Sequence, residues 1–167
     1  MGGRPEINSD DTHDFTAGTV GPRGRRVFFL QARHVEQVVS LKLEKQQVAG
    51  LAEFLDRMLD DLPPAPGDEP DRPANEMRFE DPGEPDWVVG NLGVTYQQSS
   101  DRLVLFAEEL VRGEDIQPAH ARFPLSRAQV VAFVARARVL IEAGRDPCPL
   151  CGTPLDPAAD GWCPCVN

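Results

Sequence analysis

The chain has 167 residues, a length for one domain plus an appendage, and its 41% apolar content lies well above the disordered range. Seventeen basic against 27 acidic side chains give a formal charge of −10, which taken alone argues against a phosphate-binding surface. The longest apolar run, residues 130–135, is far short of the roughly 18–20 a membrane span needs, and residues 1–14 lack a signal-peptide core and carry Glu6 where a myristoylation signal wants Ser or Thr. The expected setting is cytoplasmic, with no membrane partner.

Three strands are expected first, over 15–20, 25–33 and 38–43; in the third, Val39, Leu41 and Leu43 alternate with polar positions. The glycines of Gly18-Thr-Val-Gly21-Pro-Arg-Gly24 mark a hairpin turn. They are not a phosphate loop, because no Lys-Ser/Thr follows and no helix begins there. Next, Val48, Leu51, Ala52, Leu55, Met58, Leu59 and Leu62 fall at i, i+3, i+4, i+7, i+10, i+11 and i+14. That spacing predicts a helix with one apolar face, stopped by Pro63-Pro64.

The charge is uneven. Residues 60–86 hold ten acids, two bases and seven of the 16 prolines, so this stretch carries −8 and the other 140 residues only −2. Residues 63–78 are therefore expected to form an acidic, proline-rich surface linker, with an acidic tether for a basic partner as its functional alternative. The near-neutral remainder leaves nucleic acid open as a partner. Fifteen arginines against Lys42 and Lys45 could signal phosphate recognition or simply a GC-rich genome.

Beyond the linker, strands are expected over 86–96, 102–110 and 121–123. A helix follows, opened by the capping-box pair Ser126 and Gln129. Adding 82 to the first helical stripe gives Val130, Phe133, Val134, Ala137, Leu140, Ile141 and Gly144, the last at a place for a C-cap glycine. Leu43, Lys45 and Gln47 likewise match Leu125, Arg127 and Gln129. Residues 26–30 match 102–106 at an offset of 76, and Gly18 and Gly21 echo Gly90 and Gly93. The fold class read from this pattern is α+β. Duplicated βββα units, about 14–62 and 79–144, form a mainly antiparallel six-stranded sheet packed by two helices, so that residues 1–144 make one duplicated domain.

Residues 145–167 form a separate tail holding all four cysteines. Cys148-Pro-Leu-Cys151-Gly looks like a zinc-ribbon knuckle, in which backbone N–H groups face the sulfurs; eleven residues later comes the tighter Cys163-Pro-Cys165. Two close thiolate pairs across a short loop suit a tetrahedral zinc with bonds near ~2.3 Å. The candidate metal ligands are Cys148, Cys151, Cys163 and Cys165, with His120, His34 or water as a substitute should one drop out. A redox dithiol and an iron–sulfur cluster are the alternatives; disulfides are disfavoured without an export signal. A site closed by four cysteines has no open position for a catalytic water, so the zinc would be structural. Metal binding would fold the proline-rich tail, and Leu150, Leu155 and Trp162 could then pack on the main domain.

No catalytic constellation emerges. His13, His34 and His120 are singletons, and Glu108 and Glu109, as neighbours on a strand, point to opposite faces. The duplicated layout is similar to single-stranded nucleic-acid-binding modules of the Pur and Whirly kind, and Arg23, Arg25, Arg26 and Arg33 form a small basic cluster. The strand aromatics Phe28, Phe29, Phe106 and Tyr96 sit among aliphatics and are expected in the core, not on a stacking surface.

Over about residues 12–165 the chain resembles an actinobacterial family of unknown function, catalogued as domain of unknown function thirty-ninety. The resemblance rests on Ala17-Gly18-Thr19-Val20-Gly21, Phe28-Phe29-Leu30-Gln31-Ala32, Leu43-Glu44-Lys45-Gln46-Gln47-Val48 and the Cys-Pro-Leu-Cys-Gly knuckle. It implies the architecture and a metal-binding tail, and no activity. The leading expectation is a zinc-binding protein that acts as a non-catalytic interaction module for a protein partner. Single-stranded nucleic-acid binding on the sheet is one alternative. A hydrolase or transferase with a pocket between the repeats is the other.

Overall fold

The computed structural model describes residues 6–8, 12–34, 36–66, 78–144, 146–153, 155 and 162–166. Seven strands and two helices follow in order: β1 Ile7–Asn8, β2 Asp14–Val20, β3 Val27–His34, β4 Gln37–Leu43, α1 Lys45–Asp61, β5 Trp87–Gln97, β6 Arg102–Glu109, β7 His120–Leu125 and α2 Arg127–Glu142. Most of the expected linker, 67–77, lies outside the described residues.

The sheet order is β1-β7-β6-β5-β4-β3-β2. It consists of two antiparallel meanders, β2-β3-β4 and β5-β6-β7, that meet at a short parallel seam where Leu41 pairs with Trp87 and Lys42 with Val88. The seventh strand, β1, was not expected. It pairs in parallel with β7, as the start of β5 does with β4. Because β1 and β2 sit at opposite ends of the sheet yet only five residues apart in the chain, they can be separated by at most about 20 Å. The sheet must therefore curl towards closure. Phe15 of β2 and Phe123 of β7 confirm it, with ring centroids 5.9 Å apart.

Strand register fixes how the halves correspond. Phe28 pairs with Leu43 and Leu103 with Leu125, so with the helical offset of 82 the β3-to-β6 offset is 75. The expected value of 76 is one residue out, which would turn every side chain to the wrong face. At 75 the inward-facing Phe28, Leu30 and Ala32 correspond to Leu103, Leu105 and Ala107, all buried. The β2-to-β5 offset is then 77, so Gly18 aligns with Thr95 and the glycine echo is coincidental. At 76, Leu30 would have matched Phe106, which lies on the outer face and is 40% exposed, not in the core.

Both helices pack on the concave face, and the expected stripes are the buried ones: Val48, Leu51, Ala52 and Leu55 in α1; Val130, Phe133, Val134, Ala137 and Leu140 in α2. Asp56 and Arg138, related by the same 82 residues, form an ion pair between the helices. A residue that touches its own repeat counterpart lies beside the local two-fold axis. The third residues of the two helices obey the same symmetry. Gln47 Oε1 accepts from Glu44 N (2.8 Å), and its Nε2 donates to the carbonyls of Val89 (3.4 Å) and Gly90 (3.3 Å). Gln129 Oε1 accepts from Ser126 N (2.9 Å), and its Nε2 donates to Thr12 O (2.7 Å) and His13 O (3.0 Å). Each glutamine caps its own helix and grips the other unit, Gln47 on β5 and Gln129 on the residues just before β2.

The symmetry breaks where side-chain size differs. The second helix packs closely against β2, and α1 makes no comparable approach to β5. Ala137 and Ala17, both fully buried, occupy positions held by Leu55 and Val94 in the other copies. Small side chains let helix and strand backbones close up. Gly144 is not the left-handed cap expected of it: α2 ends on Ala143, and a Cβ at Gly144 would come 2.1 Å from Arg26 Nη2. The glycine makes room for that guanidinium.

Residues 79–86 cross the outer face of the first half-sheet. The Phe79 ring fills the space where a Gly18 side chain would stand. Buried Gln31 exchanges two hydrogen bonds with the Glu80 backbone (2.8 and 3.0 Å), and Asp86 brackets Ser40 (2.8 and 2.9 Å). On the outer face of the second half-sheet Val104 is buried and Phe106 is exposed.

Two predictions follow from this packing. Gln129→Ala should lower stability to urea by about 1–3 kcal/mol, and Gln47→Ala by less because its contacts are longer; equal losses would contradict the geometry. Ala137→Leu, which restores the size found in the first copy, should cost about 1–3 kcal/mol through overpacking against β2, read from the same unfolding midpoint.

Candidate metal centre

Beyond α2 the backbone folds back on itself. Cys148 N donates to Thr153 O (2.8 Å), Gly152 N to Cys148 O (2.9 Å) and Leu155 N to Asp146 O (2.8 Å). Gly152 has φ +73°, the left-handed conformation this turn requires and glycine adopts freely. The amides of Cys151 and Leu150 donate to the Cys148 sulfur and hold its thiol below the ordinary value. That is the knuckle expected of Cys-Pro-Leu-Cys-Gly. In the second pair Cys163 directly precedes, and Cys165 sits within, a single 3₁₀ turn, Pro164–Val166, whose tightness accommodates the one-residue gap. There the Cys165 amide donates to the Cys163 sulfur.

The loops bring Cys148, Cys151, Cys163 and Cys165 together, with all four Sγ within 4.8 Å of one another. The nearest sulfurs belong to different pairs: Cys148 to Cys165 and Cys151 to Cys163, each 3.5 Å. Four sulfurs at ~2.3 Å from a tetrahedral ion stand about 3.8 Å apart, so this cluster could hold a metal. None is in a disulfide. Cys148 and Cys163 are buried, Cys151 and Cys165 exposed.

The electrostatics point the same way. Cys151 is lowered to about 6, first by its side-chain hydrogen bond with Thr153 (Sγ to Oγ1 3.2 Å), in which the ionised sulfur is the acceptor. Cys165 is pushed up by the neighbouring sulfurs of Cys163, Cys151 and Cys148. Cys163 is also raised; its bond from the Cys165 amide is outweighed by desolvation and the other sulfurs. Four negative charges this close repel, and a divalent cation would relieve the conflict. Thr153 is a supporting residue the cysteine spacing did not reveal.

The histidines stay apart from the sulfur cluster. His120 Nε2 lies 3.2 Å from Glu108 Oε2, and Glu108 also accepts from Asn91 Nδ2 (2.8 Å). First the Asn91 amide and then His120 hold the Glu108 carboxyl below its usual range. A shallow hollow of about 250 Å³ opens beside them at Phe106. Glu109 faces elsewhere and accepts from Ala119 N (3.0 Å), so the adjacent carboxylates do not act as a pair. His34 lies 6.0 Å from His13, ring to ring.

The basic cluster disperses. Arg33 pairs with Glu80 and with Asp14 (3.6 Å), Arg23 pairs with Asp146 (3.4 Å), and Arg26 turns to the end of α2. Of the strand aromatics, Phe28 and Phe29 are buried and the Tyr96 hydroxyl donates to Asp101 (2.8 Å). Leu150 and Trp162 do not pack on the body as expected; they are 73% and 57% exposed, while Leu155 is half-buried. Among the described residues no helix is long and apolar enough to cross a membrane.

A family model described as "Protein of unknown function (DUF3090)" matches residues 8–163. The chain belongs to that family. The match spans both repeats of this DUF3090 protein and the first three cysteines. No curated protein and no solved structure matches the chain.

The thiol environment yields a kinetic prediction for the metal-free protein. With its pKa about 6, Cys151 is roughly nine-tenths thiolate at pH 7 and one-tenth at pH 5. Iodoacetamide at pH 7 should therefore label Cys151 first, with the rate falling as pH drops through 6. Thr153→Val should raise the pKa and slow labelling at pH 7. Mass spectrometry of the labelled peptides checks both outcomes, and preferential labelling of Cys165 would contradict them.

Proposed function

We propose that this protein is a zinc-binding, non-catalytic interaction module whose metal organises the tail. Cys148, Cys151, Cys163 and Cys165 serve as the four ligands and zinc as a structural ion. The observation that carries the reading is the meeting of four free sulfurs within 4.8 Å, two from each knuckle, with no His, Asp or Glu among the described residues joining them. An all-cysteine set favours zinc over harder cations and leaves no coordination site for substrate.

The exposed Leu150 and Trp162 support a role in binding a protein partner. Apolar side chains held out on a metal-bound loop are costly in water and gain by being covered. A reducing cytoplasmic setting keeps the thiols available to metal. An actinobacterial source fits the arginine-rich composition of a GC-rich genome.

Elemental analysis of protein purified without added metal should find one zinc per chain, lost in Cys148→Ser and Cys163→Ser. Because binding releases thiol protons, zinc affinity should fall with falling pH. Absence of zinc, with a Cys148–Cys165 or Cys151–Cys163 disulfide in its place, would make the tail a redox element.

A further inference from the structure

An open cleft of about 490 Å³ lies between the β2–β3 turn, the start of α1 and the end of α2. Arg26, Lys42 and Lys45 line it together with a single acid, Glu44, above an apolar floor of Phe28 and Leu43. On a chain of charge −10 this lining carries +2 and gathers both of the chain's lysines. Among the described residues none of the three cations has an ion-pair partner. Arg26 is held in place without one: its Nη1 donates to Leu140 O (2.9 Å) and its guanidinium lies 5.1 Å from the Phe28 ring centroid.

The duplicated fold supplies an internal comparison. The matching location in the second unit is the β5–β6 turn, the start of α2 and the end of α1. Arg127 opens α2 as Lys45 opens α1. Asp101 stands immediately before β6, as Arg26 stands before β3. In the second unit the two residues form an ion pair, Arg127 Nε and Nη2 reaching Asp101 at 2.9–3.2 Å. Arg127 Nη2 also donates to Pro63 O (2.7 Å), and the Tyr96 hydroxyl completes the cluster. In the first unit the acid is replaced by Arg26, the tyrosine by Thr19, and an open cleft remains. One copy encloses its anion. The other has the cations and the space for one.

Lys45 also sits in the first turn of α1, against the helix dipole, with the N-cap Glu44 as the nearest acid. An anion in the cleft would relieve this local conflict.

We infer that this cleft binds a phosphate group carried by a small molecule, with Arg26 and Lys45 taking the phosphate, Lys42 adding charge at the rim, and Phe28 and Leu43 meeting the apolar portion. The phosphate oxygens occupy the role that the Asp101 carboxylate plays in the second unit. The lysines act as point charges, and the fixed guanidinium supplies directed donors. A cleft of this volume suits a nucleotide-sized ligand and exceeds what a bare phosphate fills.

The test is isothermal titration of the zinc-loaded full chain in low-salt buffer with adenosine 5′-monophosphate, inorganic phosphate and adenosine as probes. The monophosphate should bind at least about tenfold more tightly than inorganic phosphate, and adenosine should be silent. Equal binding of inorganic phosphate would support the phosphate site and assign it to the free ion. Lys45→Gln should weaken binding of the monophosphate at least about tenfold. Arg26→Asp, which copies the second unit by placing a carboxylate beside Lys45, should abolish it. Both variants should keep their zinc and their circular dichroism, and Arg57→Gln on the exposed face of α1 should bind normally. Silence from both phosphate probes, adenosine binding as well as the monophosphate, or undiminished binding in Lys45→Gln and Arg26→Asp would overturn the inference. Zinc content is a separate readout, so failure here leaves the metal proposal standing.

Discussion

Two half-sheets that share only two paired residues on each strand of the seam cannot be held together by strand pairing. Gln47 and Gln129 supply the missing connection. Each side chain saturates both its ends, with the oxygen on its own helix cap and the nitrogen on two carbonyls of the opposite unit. Those carbonyls lie just before β2 and near the start of β5. The helix starts and the half-sheets are thereby fixed by the same two side chains. The shared core of Phe15, Phe123 and Phe133 then has one geometry in which to pack.

The helices were legible because burial on one side only leaves a 3.6-residue imprint, and the stripes at 48–55 and 130–140 are the buried ones. The register of β3 was not legible, for a physical reason. Its sequence Val-Phe-Phe-Leu-Gln-Ala has no alternation to read, because Phe29 and Gln31 are covered on the outer face by Phe79 and Glu80 while Phe28 and Leu30 face the helices. A strand buried on both faces gives no signal for which face is which. The counterpart β6 is buried on its outer side at Val104 but open at Phe106, which is exposed where a core position looked plausible. The covering stretch itself comes from a Pro- and acid-rich segment whose composition resembles a linker to its end.

The cysteine cluster was legible in its membership and not in its wiring. Spacing identifies two knuckles, but it cannot show that Cys148 faces Cys165 while Cys151 faces Cys163, nor that Thr153 tunes Cys151. The cleft was still less accessible to sequence. Its cations come from a turn, a strand end and a helix start, and none is unusual alone. They gain meaning only beside Asp101 and Arg127, whose equivalence to Arg26 and Lys45 depends on the offsets of 75 and 82 that the strand pairing establishes. Arg127 holds the Asp101 carboxyl below its usual range, the electrostatic benefit that the first unit lacks.

The tail and the body divide the work of folding unequally. The body buries its apolar residues in one continuous core. In the tail Leu150 and Trp162 remain in water, and its link to the body at Arg23–Asp146 is 60% and 78% exposed at the two side chains, a pair of little energetic value. Among the described residues few contacts with the body are left to offset the tail's ordering entropy, whereas four thiolates closing on a zinc ion would release on the order of 10 kcal/mol. A metal at the four sulfurs would therefore stabilise the tail more than the core does. Arg23 belongs to the turn that ends at Arg26, and Asp146 begins two residues beyond the Gly144 that accommodates the Arg26 guanidinium. Gly144, where the chain leaves α2 for the tail, thus lines the basic cleft beside the Arg26 guanidinium.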